Sequence, residues 1–248
     1  MKKNFDGKIK YGQQYYDYDN GIMTFFAPKQ KLTVEAKNAS EVEGWMLVFH
    51  SDFIQNYPLA KRIKEYGFFS YTANEALHCS NKEEEVISNV MQNLKDEIEK
   101  SIDNFTQDVI VSHIDLLLNY CNRFYNRQFI TRKPANNDTL IRLENLLNDY
   151  FNSDDLISKG LPTVQQVAEQ LNISSNYLSD MLRSITGQTT QQHIHNKLIE
   201  KAKELLTTTN LSVSEIAYYL GFEYPQSFNK LFKKKTDISP LEFRQSFN

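Results

Sequence analysis

An internal repeat in the last third of the chain constrains its fold more than any other feature. At an offset of 49 residues, Thr163–Ala168 aligns with Ser212–Ala217. At an offset of 50, the apolar and basic pattern LxxMLRxxT recurs as FxxLFKxxT; the aligned pairs are Leu178 with Phe228, Met181 with Leu231, Leu182 with Phe232, Arg183 with Lys233 and Thr186 with Thr236. One extra residue in the second copy accounts for the change of offset. The repeat predicts two copies of one supersecondary unit.

Each copy is predicted to be a short helix, a tight turn and a second helix. Capping boxes open the first helices, with Thr163 paired to Gln166 and Ser212 paired to Glu215. The turn of the second copy contains Gly221, which accepts a positive φ, and the turn of the first contains Asn172, which tolerates one. The pattern predicts helix-turn-helix units at about residues 163–186 and 212–236. In such units the second helix offers its N-terminal half to the DNA major groove.

A long amphipathic helix is predicted to connect the two copies. Thr189 and Gln192 form its capping box, and the helix is expected over about residues 189–208. At a rise of about 1.5 Å per residue it would be roughly 27 Å long. Successive major grooves on one face of DNA lie about 34 Å apart, so a rigid connector of this size allows both second helices to reach the same side.

The second copy and the residues that follow it resemble the AraC/XylS-type transcription regulators. The resemblance rests on four segments: 216–217 (IA), 221–222 (GF), 227–234 (SFNKLFKK) and 238–244 (ISPLEFR). It covers about residues 161–248. The chain departs from the family pattern at three positions. Asp237 stands where the family usually has Gly, and Thr190 stands where it often has Pro. Asp180 stands where many members have a basic residue.

The resemblance implies the fold class and the residues that contact DNA. It implies an α+β chain, in which a partial cupin-like β-sheet domain with trailing helices precedes an all-α domain of two helix-turn-helix units joined by a long helix. The expected base contacts are Asn176, Ser179, Asp180, Pro225, Gln226, Asn229 and Lys230. The expected phosphate contacts are Arg183, Ser227, Lys233, Lys234 and Lys235.

The chemistry of these side chains suits base contact unequally. Gln226 and Asn229 can each form two hydrogen bonds with adenine, and Lys230 can reach O6 and N7 of guanine. The carboxylate of Asp180 is unfavourable near phosphates, so either the first unit contributes few contacts or Asp180 accepts a hydrogen bond from a cytosine amino group. Pro225 offers only an apolar contact.

The chain is expected to comprise two domains with a polar linker between them. Fifteen of the 31 aromatic residues lie in the first 71 positions, together with strand-like runs at Ile22–Ala27, Trp45–Phe49 and Phe68–Tyr71. Residues 1–132 are expected to be the cupin-like sensory or dimerisation domain, possibly without its leading strands. Residues 133–138 are the expected linker, and 139–248 the DNA-binding domain.

Two helices are predicted at the end of the first domain, at about residues 83–100 and 107–127. The second carries apolar residues at heptad-like spacing, namely Ile110, Ile114, Leu117, Cys121 and Phe124. Two interpretations remain open for this stripe. It either packs on the sheet of its own domain or forms a dimerisation seam. An aromatic pocket for an effector is likewise an alternative to plain core at Phe25, Trp45, Phe49 and Phe68.

The sequence gives no indication of catalysis, a cofactor or a metal site. His50 and His78 have no neighbouring ligand cluster, and His193 and His195 point to different faces of one helix. With two cysteines, no uncharged run long enough for a membrane span and no apolar run after the first lysines, a reduced, cytoplasmic protein is expected. The family resemblance implies that it is bacterial.

The expected partners are double-stranded DNA, RNA polymerase, a second copy of the chain and a small-molecule effector. The net charge is −3, but residues 224–248 carry five basic and two acidic groups. The favoured function is a sequence-specific DNA-binding regulator. The alternative is an effector-sensing or protein-interaction module whose helical repeat has lost useful DNA affinity.

Overall fold

The computed structural model describes residues 2–3, 8–11, 14–17, 21–30, 33–35, 43–72, 75–153, 156 and 160–247. The chain divides into two compact units, Met1–Arg132 and Lys133–Asn248. Most of the described residues are helical. Within the described ranges no helix combines the length and the apolar character that a membrane span requires.

The first unit begins with short antiparallel strands. They are β1 (Lys2–Lys3), β2 (Lys8–Tyr11), β3 (Gln14–Asp17), β4 (Ile22–Met23), β5 (Thr33–Glu35), β6 (Glu43–Gly44) and β7 (Leu77–His78). One sheet has the order β6-β1-β4-β7 and the other β3-β2-β5. In the first sheet Lys2 pairs with Ile22, and Met23 pairs with Leu77. The described strands thus form two small sheets of four and three strands, and helices lie between the strands along the chain.

The strands predicted from the aromatic runs are shorter than expected or absent. Only Ile22 and Met23 of the run 22–27 lie in a strand, residues 45–49 lie in none, and Gly67–Ser70 forms a 3-10 turn. Rings from the first and third runs pack against each other and against Tyr125. The ring centroids of Phe25 and Phe68 lie 4.5 Å apart, and those of Phe68 and Tyr125 lie 5.5 Å apart. The structure supports a unit of short strands and helices, and a cupin-like barrel is not established by it.

Helices α1 (Leu59–Arg62), α2 (Asn81–Glu99) and α3 (Thr106–Thr131) complete the first unit. α2 and α3 pack against each other, and α3 also packs on β7. The predicted seam lies inside this core, because Ile114, Leu117, Cys121 and Phe124 are all buried and Ile110 is half-buried. The dimerisation interpretation of these residues is therefore wrong. Burying them within their own unit already removes their apolar surface from water.

The N-terminus of α2 is fixed by a capping box that extends into an ion pair. Ser80 and Glu83 form the box. The Arg127 guanidinium donates to both oxygens of Glu83, at 2.9 and 2.6 Å, and also to the carbonyl of His78 at 2.8 Å. Burial opposes ionisation of Glu83, but hydrogen bonds from Ser80 and Arg127 outweigh it and lower the pKa of the carboxyl.

Glu83→Gln is expected to weaken the acid sensitivity of the first unit. A carboxyl with a lowered folded pKa stabilises the fold above its unfolded pKa of about 4.3, and this stabilisation is lost as the pH falls through the folded pKa. The variant should be less stable at neutral pH yet lose less stability between about pH 5 and 3. Urea denaturation across this range measures the effect. Glu85→Gln, on the exposed side of the same turn, is the control, and an identical pH profile in both variants would contradict the assignment.

The second unit consists of helices: α4 (Lys133–Phe151), α5 (Val164–Leu171), α6 (Ser175–Thr186), α7 (Thr190–Thr208), α8 (Val213–Tyr219), α9 (Pro225–Thr236) and α10 (Pro240–Gln245). The expected linker at residues 133–138 is wrong, since these residues begin α4. A proline in the first turn of a helix costs no hydrogen bond. Asn136 is buried, and α4 packs on α5 and α7.

The local rules of the repeat are confirmed in the second unit. The capping boxes predicted at Thr163, Thr189 and Ser212 are all present, and Ser239 forms another at the start of α10. Asn172 and Gly221 have φ angles of 59° and 84°. Ala168 and Ala217 are buried where the two helices of each copy approach.

Candidate nucleic-acid interface

Helix α9 separates an aromatic inner face from a polar outer face. Phe228 and Phe232 have no exposed surface, and their ring centroids lie 5.7 Å apart. Phe222 and Phe243 extend this cluster at each end. Packing on this face fixes the rotation of α9 about its axis. The outer face therefore projects a defined set of side chains.

The outer face of α9 carries the side chains that the sequence predicted to contact DNA. Gln226, Ser227, Asn229 and Lys230 are exposed, and Pro225, the first residue of the helix, is half-buried. The side chains of Gln226, Asn229 and Lys230 make no hydrogen bond or ion pair with any other described residue. Amide and ammonium groups presented without an internal partner are available for hydrogen bonds to base edges.

Two exposed tyrosines of the second helix-turn-helix unit, one in α8 and one at the start of α9, are not among the residues that the sequence predicted to contact DNA. Tyr224 is the N-cap residue of α9, its side chain caps nothing, and it is 58% exposed. Tyr218 in α8 is 53% exposed. The signal in the sequence was a bulky aromatic immediately before the proline at the helix start. A phenol at this position is a polar group beside the expected base contacts.

The three consecutive lysines at the end of α9 differ in their surroundings. All three are exposed and lie in the last turn, where positive charge is favourable to the helix dipole. The ammonium of Lys235 donates to Oδ1 of Asn196 at 2.9 Å, and the amide of Asn196 donates to Gln188 at 2.8 Å. Lys235 therefore ties α9 to α7, whereas Lys233 and Lys234 extend into solvent.

A shallow groove runs beside α9. Its volume is about 410 Å³, and it is lined by Val213, Ser214, Asn229, Lys230, Lys233, Ser239, Pro240 and Leu241. Two lysines line one wall, and the first turns of α8 and α10 form the others. Lys230 and Lys233 therefore give this groove a positively charged wall on the outer side of the second helix-turn-helix unit.

The corresponding helix of the first helix-turn-helix unit is α6, and it presents a different surface. Asn176 is exposed, but the hydroxyl of Ser179 lies 3.0 Å from that of Thr190, which is fully buried. Asp180 and Arg183 form an ion pair at 3.0 Å. The residues predicted to contact DNA from α6 all lie on this helix, but most of them form contacts within the protein.

The two histidines of α7 both have a pKa that is lowered from the ordinary value of an imidazole. Burial lowers the pKa of His193, and burial together with Lys235 and Lys234 lowers the pKa of His195. Nε2 of His193 lies 3.0 Å from the hydroxyl of Thr186. Within the described part of the chain, no group of three His, Cys, Asp or Glu side chains could hold a metal ion.

The aromatic cluster of the first unit encloses almost no space. The void beside Phe25, Phe68 and Tyr125 measures about 10 Å³, which is room for about one water molecule. Among the residues the structure describes, Phe25 and Phe68 are therefore core residues rather than walls of an effector pocket.

Comparison with known proteins identifies the kind of domain that forms the second unit. Residues 167–246 match the family model described as a helix-turn-helix domain. The xylose operon regulatory protein of Escherichia coli K12 is 37% identical over 81 residues, which is 33% of this chain and 21% of that protein. The transcriptional activator RhaS of Salmonella paratyphi B is 32% identical over 120 residues, covering 48% of this chain and 41% of RhaS. The second unit is an AraC-type helix-turn-helix domain.

The AraC-type domain is the part of the chain that these matches share. The chain spans well under half the length of both relatives. The C-terminal domain of the response regulator yesN from Fusobacterium nucleatum is similar to the same part, with 33% identity over 43% of this chain and 98% of that one and a TM-score of 0.38. The expectation of an AraC/XylS-type resemblance is confirmed.

Proposed function

We propose that this chain is a sequence-specific DNA-binding transcription regulator that contacts two successive major grooves with helices α6 and α9 of its AraC-type domain. The observation that carries the proposal is the outer face of α9. There, Gln226, Asn229 and Lys230 are exposed and without internal partners, while the aromatic inner face locks the helix in place. Helix α7, which joins the two helix-turn-helix units, has 19 residues and is therefore about 28 Å long.

The side chains divide by chemistry into two roles. Asn176 of α6 and Pro225, Gln226, Asn229 and Lys230 of α9 are the proposed base contacts, whereas Ser179 and Asp180 of α6 are engaged within the protein. Ser227, Lys233 and Lys234 are the proposed phosphate contacts, whereas Arg183 is paired with Asp180 and Lys235 with Asn196. Phosphate contacts fix the register of the protein on DNA, and contacts to base edges supply the sequence preference.

The first unit is proposed to be the sensory or dimerisation half of a bacterial cytoplasmic regulator. Short antiparallel strands followed by two packed helices agree with a reduced cupin-like domain. Since the stripe on α3 is internal, a homodimer would use another surface. Changes in transcription would follow from contact with RNA polymerase or from blocking it.

A second candidate function is favoured by the surface of α6. Helix α6 contains one acidic and one basic residue, Asp180 and Arg183, and so has no net charge, as expected of an effector-sensing or protein-interaction module that has lost useful DNA affinity. Such a module would keep the helical repeat as a scaffold. The two candidates predict opposite results in a DNA-binding selection.

The deciding experiment is selection of bound duplexes from a random DNA pool by the full chain, at about 150 mM salt. We expect enrichment of sites in which the block bound by α9 is strongly preferred. Absence of enrichment by folded protein, checked by circular dichroism, would overturn the regulator and support the interaction module.

The double variant Lys233→Gln/Lys234→Gln is expected to weaken binding to all sequences alike. Each lost phosphate contact reduces the slope of log affinity against log salt by about 0.9, so the slope should flatten by about 1.8. Titrations at several salt concentrations measure this. Lys235→Gln is the matched control, because Lys235 is bonded to Asn196; an equal flattening by the control would contradict the assignment.

A further inference from the structure

The two recognition helices, α6 and α9, differ sharply in charge. Helix α9 contains four lysines and no acidic residue, whereas α6 contains one acidic and one basic residue, Asp180 and Arg183. A helix that enters a groove lined by phosphates gains from positive charge and loses from negative charge. The difference therefore bears directly on how strongly each helix binds DNA.

On α6, the acidic and the basic group are paired with each other. Oδ1 of Asp180 lies 3.0 Å from Nη1 of Arg183 one turn later, and the two side chains are 29% and 59% exposed. The guanidinium therefore lies beside the carboxylate of Asp180, although more than half of the Arg183 side chain stays exposed. Arg183 aligns in the repeat with Lys233, which is exposed and forms no ion pair with a described residue, although it lies near enough to Glu242 to help lower the pKa of that carboxyl. The same position thus carries an ion-paired cation in the first helix-turn-helix unit and a cation without an ion pair in the second.

The neighbouring position strengthens this contrast. The hydroxyl of Ser179 is 3.0 Å from that of the buried Thr190, the first residue of α7. This contact draws Ser179 toward the domain interior. Asn229, which lies one repeat later than Ser179, is exposed. Three of the four positions expected to contact DNA from α6, namely Ser179, Asp180 and Arg183, are therefore engaged within the protein.

We infer that Asp180 sets the affinity of the first helix-turn-helix unit by holding Arg183 away from the DNA phosphates, so that α9 supplies most of the sequence recognition. The inference rests on the proposed function. Asp180 acts here as a positioning residue. It contributes a negative charge at the DNA-facing surface and also restrains the cation that would otherwise neutralise a phosphate.

Asp180→Asn tests this directly, because it removes the charge and keeps the shape of the side chain. We expect the full chain to bind its selected duplex about five- to tenfold more tightly at about 150 mM salt, which is the worth of about one released counterion. The slope of log affinity against log salt should become steeper by about 0.9. The base preference of the selected site should not change.

The double variant Asp180→Asn/Arg183→Gln separates release of Arg183 from simple loss of negative charge. It should show neither the steeper slope nor most of the gain in affinity. Glu200→Gln is the matched control, since it removes a carboxylate from another pair three residues apart, Lys197 with Glu200 on α7. That control should leave the salt slope unchanged.

Three outcomes would overturn the inference. One is weaker binding by Asp180→Asn with loss of a preferred cytosine, which would make Asp180 a base contact. Another is an equal gain in Glu200→Gln, which would reflect net charge alone. The third is an unchanged salt slope. Failure of the wild-type protein to select any duplex is a separate result, and it would refute the proposed function itself.

Discussion

The double variant Gln226→Ala/Asn229→Ala is expected to bind its selected duplex at least about 30-fold more weakly than the wild type. Each bidentate contact to a base contributes about 1 to 3 kcal/mol of discrimination, so losing two removes roughly 2 to 6 kcal/mol. Both side chains are exposed and unbonded within the protein, so the fold should be unaffected. Affinity for unrelated DNA, which depends on the lysines, should stay nearly the same.

Titration of the selected duplex and of a scrambled duplex, under the same salt conditions, separates these effects. Gln170→Ala/Asn210→Ala is a suitable control, because it removes the same two side-chain types from exposed positions outside α6 and α9. If the variant retained the wild-type preference for the selected duplex, α9 would not be the helix that contacts the bases.

Gly221→Ala is expected to destabilise the AraC-type domain by about 2 to 5 kcal/mol. Gly221 has a φ of +84°, which costs an L-residue about 1 to 2 kcal/mol. In addition, a Cβ at this position would lie 2.8 Å from two backbone atoms of Gly160. Backbone cannot rotate away as a side chain can, so relieving this overlap should cost about another 1 to 3 kcal/mol.

Gly187→Ala is the matched control for this prediction. Gly187 ends α6 with a φ of +73°, but a Cβ there would meet nothing within 4 Å. It should therefore cost only the conformational part, about 1 to 2 kcal/mol. Urea denaturation of the full chain gives the difference, and hydrogen exchange in α7 and α8 localises it to the second unit. Equal losses in both variants would contradict the close approach of residues 160 and 221.

The second unit was largely predictable because its signals are local. A capping box involves residues three apart, a positive φ involves one residue, and the inner face of α9 follows from helical spacing. Thr163, Ser212 and Gly221 consequently have the structure that the sequence predicted. The roles of the exposed side chains of α6 and α9 in binding DNA remain predictions.

The first unit was predicted less well because its structure depends on distant contacts. The aromatic runs matched a strand pattern, yet Phe25 and Phe68 pack on Tyr125, about one hundred and about sixty residues away in sequence. Composition cannot distinguish a ring on a sheet from a ring in a core. For the same reason the apolar stripe on α3 could not be assigned to an internal or an intermolecular surface from its spacing alone.

The sequence by itself determined that the chain ends in two helix-turn-helix units joined by a helix, since repeat, caps and turns are all encoded within a few residues of one another. Only the tertiary structure decided which polar side chains are available. Ser179 meets Thr190 from 11 positions away, and Lys235 meets Asn196 from 39. A hydrogen-bonding group is committed or free according to what the fold brings within about 3 Å of it, and that proximity is a property of packing rather than of local sequence.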